Sequence, residues 1–108
     1  MNRKFQLEQM LKDEPNNSFL LFAMAKEYES EMNYLEAIQS LESLRTKDPN
    51  YTGLYYHLSA IYRKNNQITE AKSILDTGIE ICTKLNAHHD LSELKSSKIN
   101  LEIELMED

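Results

Sequence analysis

The side chains best equipped for chemistry lie near the end of the chain. His88, His89 and Asp90 are consecutive, and Cys82 precedes them by less than two helical turns. Imidazole, carboxylate and thiolate are all zinc ligands. Adjacent helical residues point about 100° apart, however, so the two rings of a consecutive pair cannot readily face one ion. The motif reads as a polar turn entering a last helix, and no metal is expected. His57 reads as a groove or packing residue rather than a base. Cys82 has Ile79 and Ile81 for company, and burial raises a thiol's pKa, so a structural thiol is expected instead of a nucleophile. Glu36 and Glu70 recur one repeat apart, which suits the positive end of a helix dipole. Gly-rich phosphate loops, zinc-finger spacings and nucleophile elbows are absent from the sequence. No catalytic residue and no cofactor are expected, and the chain is not expected to be an enzyme.

The totals narrow the classes further. With 108 residues the chain suits one domain with one core. Hydrophobic residues make up 41%, too many for disorder. Two glycines and two prolines are too few for the many turns of an all-β fold, so long helices are expected. A net charge of −6 opposes a phosphate backbone, which argues against nucleic acid. A single cysteine makes no internal disulfide. The first residues, Met1 to Gln6, turn polar where a signal peptide needs an apolar run, and no stretch approaches membrane-spanning length. A cytoplasmic setting without membrane insertion is the simplest expectation.

The elements that must position any site come from a repeat. Glu14-Pro15-Asn16-Asn17-Ser18-Phe19-Leu20-Leu21-Phe22 returns thirty-four residues later as Asp48-Pro49-Asn50-Tyr51-Thr52-Gly53-Leu54-Tyr55-Tyr56. That period holds two short helices and two turns, and it predicts a stacked helical array. Helices are expected at about 2–13, 17–30, 34–47, 51–64, 67–84 and 88–106, all in one domain over 1–108, with full repeats at 18–51 and 52–85. Leu7, Met10 and Leu11 share a face of the first. Asn17 or Ser18 caps the second, whose Leu21, Met24, Ala25 and Tyr28 match Tyr55, Leu58, Ser59 and Tyr62 of the fourth. Ala37, Ile38, Leu41 and Leu44 line the third. Ala71, Leu75, Gly78 and Cys82 line the fifth, which lacks a terminating proline and should run longer. Glycine inside a helix costs about 0.5–1 kcal/mol against alanine, so Gly78 should mark a tight crossing. In the last segment Ile99, Leu101, Ile103 and Leu105 alternate as in a strand. No partner strand is evident, so a helix is expected, its apolar arc widened by Met106.

Residues 5–83 resemble the tetratricopeptide repeat (TPR) family. The small residues Ala25, Ser59, Ala37, Ala71 and Gly78 and the large residues between them carry the likeness. Leu44 stands where the family prefers a small residue, and Thr83 where it prefers proline. The resemblance implies an all-α fold, an antiparallel helix-hairpin stack forming a right-handed superhelix, with residues 2–13 and 88–106 as capping helices. It also implies a protein-binding scaffold whose inner groove is lined by the first helix of each repeat.

On this sequence that groove would use Phe19, Phe22, Lys26, Tyr56, Ala60, Arg63 and Lys64, with Glu29 and Gly53 nearby. Aromatic rings supply desolvated contact area and cations fix direction, so a peptide or helix with acidic groups would fit. The same rings could instead pack under the C-terminal helix, and the same cations could be ordinary solvated charges. Family members that hold chaperone C-termini use a Lys/Asn clamp. The matching positions here are Phe22, Lys26 and His57, so that ligand is not expected. Two alternatives stand beside the peptide groove. One is a self-assembly module that forms a homo-oligomer through the C-terminal helix. The other is a small chaperone for a secreted or membrane-associated client.

Overall fold

The structure, a computed structural model, describes residues 2–107. Six helices and no strand occur among them: α1 (Arg3–Asp13), α2 (Ser18–Ser30), α3 (Tyr34–Lys47), α4 (Gly53–Lys64), α5 (Ile68–Leu85) and α6 (His88–Met106). The fold is all-α, built of antiparallel helix hairpins. Its packing falls into two compact units that meet in sequence at Leu54 and Tyr55.

In the first unit, α2 packs against both α1 and α3. Asn17 caps α2, its side chain accepting from the Leu20 N–H at 3.0 Å. Ser18 is thereby left as the first helical residue, and its hydroxyl donates to Asp48 at 2.7 Å. That bond ties the start of α2 to the C-cap of α3. Leu7, Leu20, Ala23 and Met24 form a buried cluster, with Leu11 and Tyr28 packed against it. Ala37, Leu41 and Leu44 of α3 are wholly buried. Met10 does not join the apolar face as expected but is 53% exposed. The narrow seam between α1 and α2 is already filled by Leu7 and Leu11, and Met10 projects well to one side of it.

In the second unit, α5 packs against α6. Gly78 marks the expected close crossing. A Cβ built there would lie 2.6 Å from the Cβ of Tyr55 and 3.0 Å from Leu94 Cδ1. Backbone therefore approaches side chains of both α4 and α6 at one point, and only hydrogen fits. Ser59 is buried, and its hydroxyl donates to the Tyr56 carbonyl within its own helix. Ser59 is thus a small residue that leaves no polar atom stranded. α5 runs past the length of α3 and ends at Asn86, which adopts φ 56° and caps the helix with its N–H on the Cys82 and Thr83 carbonyls. Leu94 and Leu101 are the buried residues of α6, whereas Ile99, Ile103, Leu105 and Met106 are exposed. The alternating apolar residues of this segment thus lie on a helix, with only one of them in the core.

The turns inside the two hairpins use the same backbone device. Met32 and Asn66, one repeat apart, have φ values of 60° and 62°. The following residue then returns an N–H to the first helix: Asn33 to the Tyr28 carbonyl, Gln67 to the Tyr62 carbonyl.

Candidate functional site

The helices place the residues expected in the groove in two groups. Phe19, Phe22 and Lys26 recur at three- and four-residue spacing on α2, so they share one face of that helix. Phe19 is 63% exposed. Phe22 is half-buried, its ring 5.4 Å from that of Tyr51 and tilted by 47°. The Lys26 ammonium stands 5.8 Å from the Phe22 ring centroid, within cation–π range. Tyr51 was not anticipated as part of this face. It lies in the turn before α4, and nothing in its local pattern distinguishes it from any other turn residue. Burial, with help from the Asp48 carboxylate, holds the Tyr51 phenol above its ordinary pKa, so its neutral form supports the Phe22 ring.

Tyr56, Ala60 and Arg63 share the corresponding face of α4. Here α6 forms an opposite wall, and the three residues line a cavity of about 190 Å³ together with Ser97, Asn100 and Glu104. Tyr56 is exposed at its edge, with its ring edge-on to His57 at 5.4 Å. Arg63 reaches across to Glu104 at 3.4 Å, with both side chains about half exposed. Lys64 is exposed and is not among the residues lining the cavity. The α6 contribution combines small and polar side chains with one acid. A helical reading of the tail could have found it, because Ser97, Asn100 and Glu104 recur at three- and four-residue spacing.

The chemically capable residues are arranged otherwise. Cys82 is fully buried, and burial followed by the Asp90 carboxylate pushes its thiol pKa upward. That is the setting of a structural thiol. His89, Asp90 and Glu93 bring their donor atoms within 4.8 Å of one another, with His89 Nε2 at 3.5 Å from a Glu93 oxygen. Cys82 and His88 are not part of this group. The cluster sits in the first turns of α6, where the helix dipole opposes a cation. No helix of the described residues is long and apolar enough to cross a membrane.

Comparison with known proteins adds the family context. A family model described as tetratricopeptide repeat matches residues 30–83. Comparison with curated proteins found no match. Among solved structures, a tetratricopeptide repeat domain protein from Salinibacter ruber is 32% identical, with a TM-score of 0.75, covering 80% of this chain and 96% of that one. The TPR2B domain of yeast Sti1, in complex with pHsp70, is 18% identical with a TM-score of 0.86, covering 94% of this chain and 81% of that one. The translocator chaperone SycD of the Yersinia enterocolitica type III secretion system is 13% identical with a TM-score of 0.85, covering 95% and 72%. At these last two identities the likeness is one of fold alone.

Proposed function

Because the chain belongs to the tetratricopeptide repeat family, we propose that it is a non-catalytic scaffold that binds a peptide or helix of a protein partner. The contact surfaces are the α2 face of Phe19, Phe22 and Lys26 and the α4 face of Tyr56, Ala60, Arg63 and Lys64.

The observation that carries this reading is that the first helix of each repeat leaves an aromatic ring exposed on the same face as a cation. Phe19 leaves most of its surface in water on the helix face where Lys26 stands over the Phe22 ring, and Tyr56 stands at the edge of the cleft that Arg63 lines. Rings left in water on a folded surface mark contact sites more often than isolated aliphatic residues do. The cations define the partner's chemistry as acidic. Glu104 already occupies the Arg63 guanidinium, but an exposed pair of this kind contributes only about 0–1 kcal/mol. A carboxylate carried by a partner can therefore replace Glu104 at small cost.

The test is affinity capture from a cell extract with the intact chain and a Phe19→Ala/Tyr56→Ala double variant side by side. Both side chains are exposed, so the fold should survive, and circular dichroism checks that it does. A partner retained by the intact chain and lost by the variant is expected. Partners retained equally by both would remove this surface from consideration.

A further inference from the structure

Along its C-terminal half the outer face of α6 is apolar, and its large side chains are left exposed. Ile99 and Ile103 each lie two residues from the buried Leu101, about 200° around the helix, so they point directly away from the core. They are 56% and 49% exposed, and Met106, on the same side, is 81% exposed. Such a stripe on a helix whose opposite face is already packed serves contact with something else.

The charges beside the stripe say what. Glu102, Glu104 and Glu107 crowd the C-terminal end of α6, where no basic residue sits in the last turn. Acids there oppose the helix dipole. Lys95 lies in the other half, on the same edge of the stripe as Glu102, and both are exposed. We infer that the outer face of α6 pairs with the same face of a second copy of this chain, antiparallel, about a two-fold axis near Ile99.

In that register each copy's Ile99 meets its symmetry mate. Ile103 and Met106 extend the apolar seam on either side, and Met106 covers Ser92 of the other copy. A two-fold axis across antiparallel helices brings like edges together, so Lys95 of each copy comes within about one residue of Glu102 of the other. Two intermolecular ion pairs result. Moving the axis to Leu101 would bring the two Glu102 side chains together instead. A parallel arrangement would stack the two acidic ends. The charges thus favour one register and one direction. The seam from Ser92 to Met106 is about 21 Å long and one helix wide, well short of the roughly 800 Å² per partner of stable complexes. The dimer is therefore weak and concentration-dependent. At Ser92 the seam borders a cavity that Tyr56 of α4 also lines.

Sedimentation equilibrium of the full chain, up to about 1 mM, tests this. The wild type should move from monomer to dimer. Ile99→Asp, doubled by symmetry at the axis, should weaken association at least tenfold. Lys95→Glu alone and Glu102→Lys alone should each weaken it several-fold, whereas an equimolar mixture of these two variants should associate as the wild type does or better. All the substituted positions are exposed, so thermal melts should stay near wild type. A strict monomer throughout the range overturns the inference, and so does a dimer indifferent to Ile99→Asp, which would use another face. A dimer sensitive to Ile99→Asp but not restored by mixing the charge variants overturns the antiparallel register. A monomer that captures a different protein through Ile99 assigns the face to that partner and overturns self-pairing.

Discussion

Gly78 offers the sharpest test of the packing argument, because two opposing effects act on one hydrogen atom. Replacing Gly78 with alanine removes a helix-interior glycine, which by itself stabilises a helix by about 0.5–1 kcal/mol. The added methyl, however, would stand 2.6 Å and 2.9 Å from Tyr55 Cβ and Cγ, and 3.0 Å from Leu94 Cδ1. Leu94 can rotate its terminal methyl away, but Tyr55 Cβ is fixed to the α4 backbone and can retreat only if the helix moves. Overpacking of this kind costs about 1–3 kcal/mol, and an obstruction next to backbone belongs at the upper end. The net expectation for Gly78→Ala is a loss of about 1–2 kcal/mol. At about 4–8 °C per kcal/mol for a domain of this size, Tm should fall by roughly 5–15 °C. Gly53→Ala is the matched control. A Cβ there meets only Phe22 and Tyr51 ring atoms at 4.0 Å, an ordinary contact, so this variant should match the wild type or gain a few tenths of a kcal/mol. Thermal and urea unfolding followed by circular dichroism measure both. If Gly78→Ala is as stable as the wild type, or if Gly53→Ala loses as much, the close-crossing account is wrong.

Two further outcomes follow from the backbone and the buried thiol. Met32 holds a left-handed φ of 60° while its side chain is 73% exposed. Met32→Asn, copying Asn66 of the second hairpin, should therefore raise stability by about 0.5–1 kcal/mol, and an unchanged or lower urea midpoint would refute this. The Cys82 thiol has its pKa raised in the folded state by burial and by Asp90. The unfolded chain thus loses this proton first, and the contribution to stability, present below the ordinary thiol pKa, declines as pH rises through the interval between the two values. Unfolding midpoints of the wild type should fall more steeply above about pH 8.5 than those of Cys82→Ala. Parallel pH profiles would remove Cys82 as the cause.

Much of the architecture was legible because local and periodic signals carry it. The thirty-four-residue return of acid-Pro-Asn set the helices, the small residues Ala25, Ala37, Ser59 and Ala71 are all buried, and Gly78 lies at the close crossing its type implies. Each of these is a statement about one turn or one helix face, which a single stretch of chain determines. Asn17 and Ser18 show where that stops. Both can cap a helix, and the choice was made by Asp48, thirty residues away, which takes the Ser18 hydroxyl and leaves Asn17 as the cap.

The remaining features needed three dimensions for the same reason. Met10 has the residue type and nearly the spacing of a core position, yet its exposure depends on how many helices surround α1. The run from Ile99 to Leu105 fits a strand or a broad helical arc equally well in sequence. Only the seating of Leu94 and Leu101 against α5 made Leu101 core and left Ile99 and Ile103 outside. The Phe22–Tyr51 and Arg63–Glu104 contacts join residues twenty-nine and forty-one positions apart. Sequence by itself determined that this chain would coil into hairpins and which faces would be apolar, because helix periodicity is a local property. Tertiary structure decided which of those faces are covered, because burial depends on what a distant part of the chain places against them.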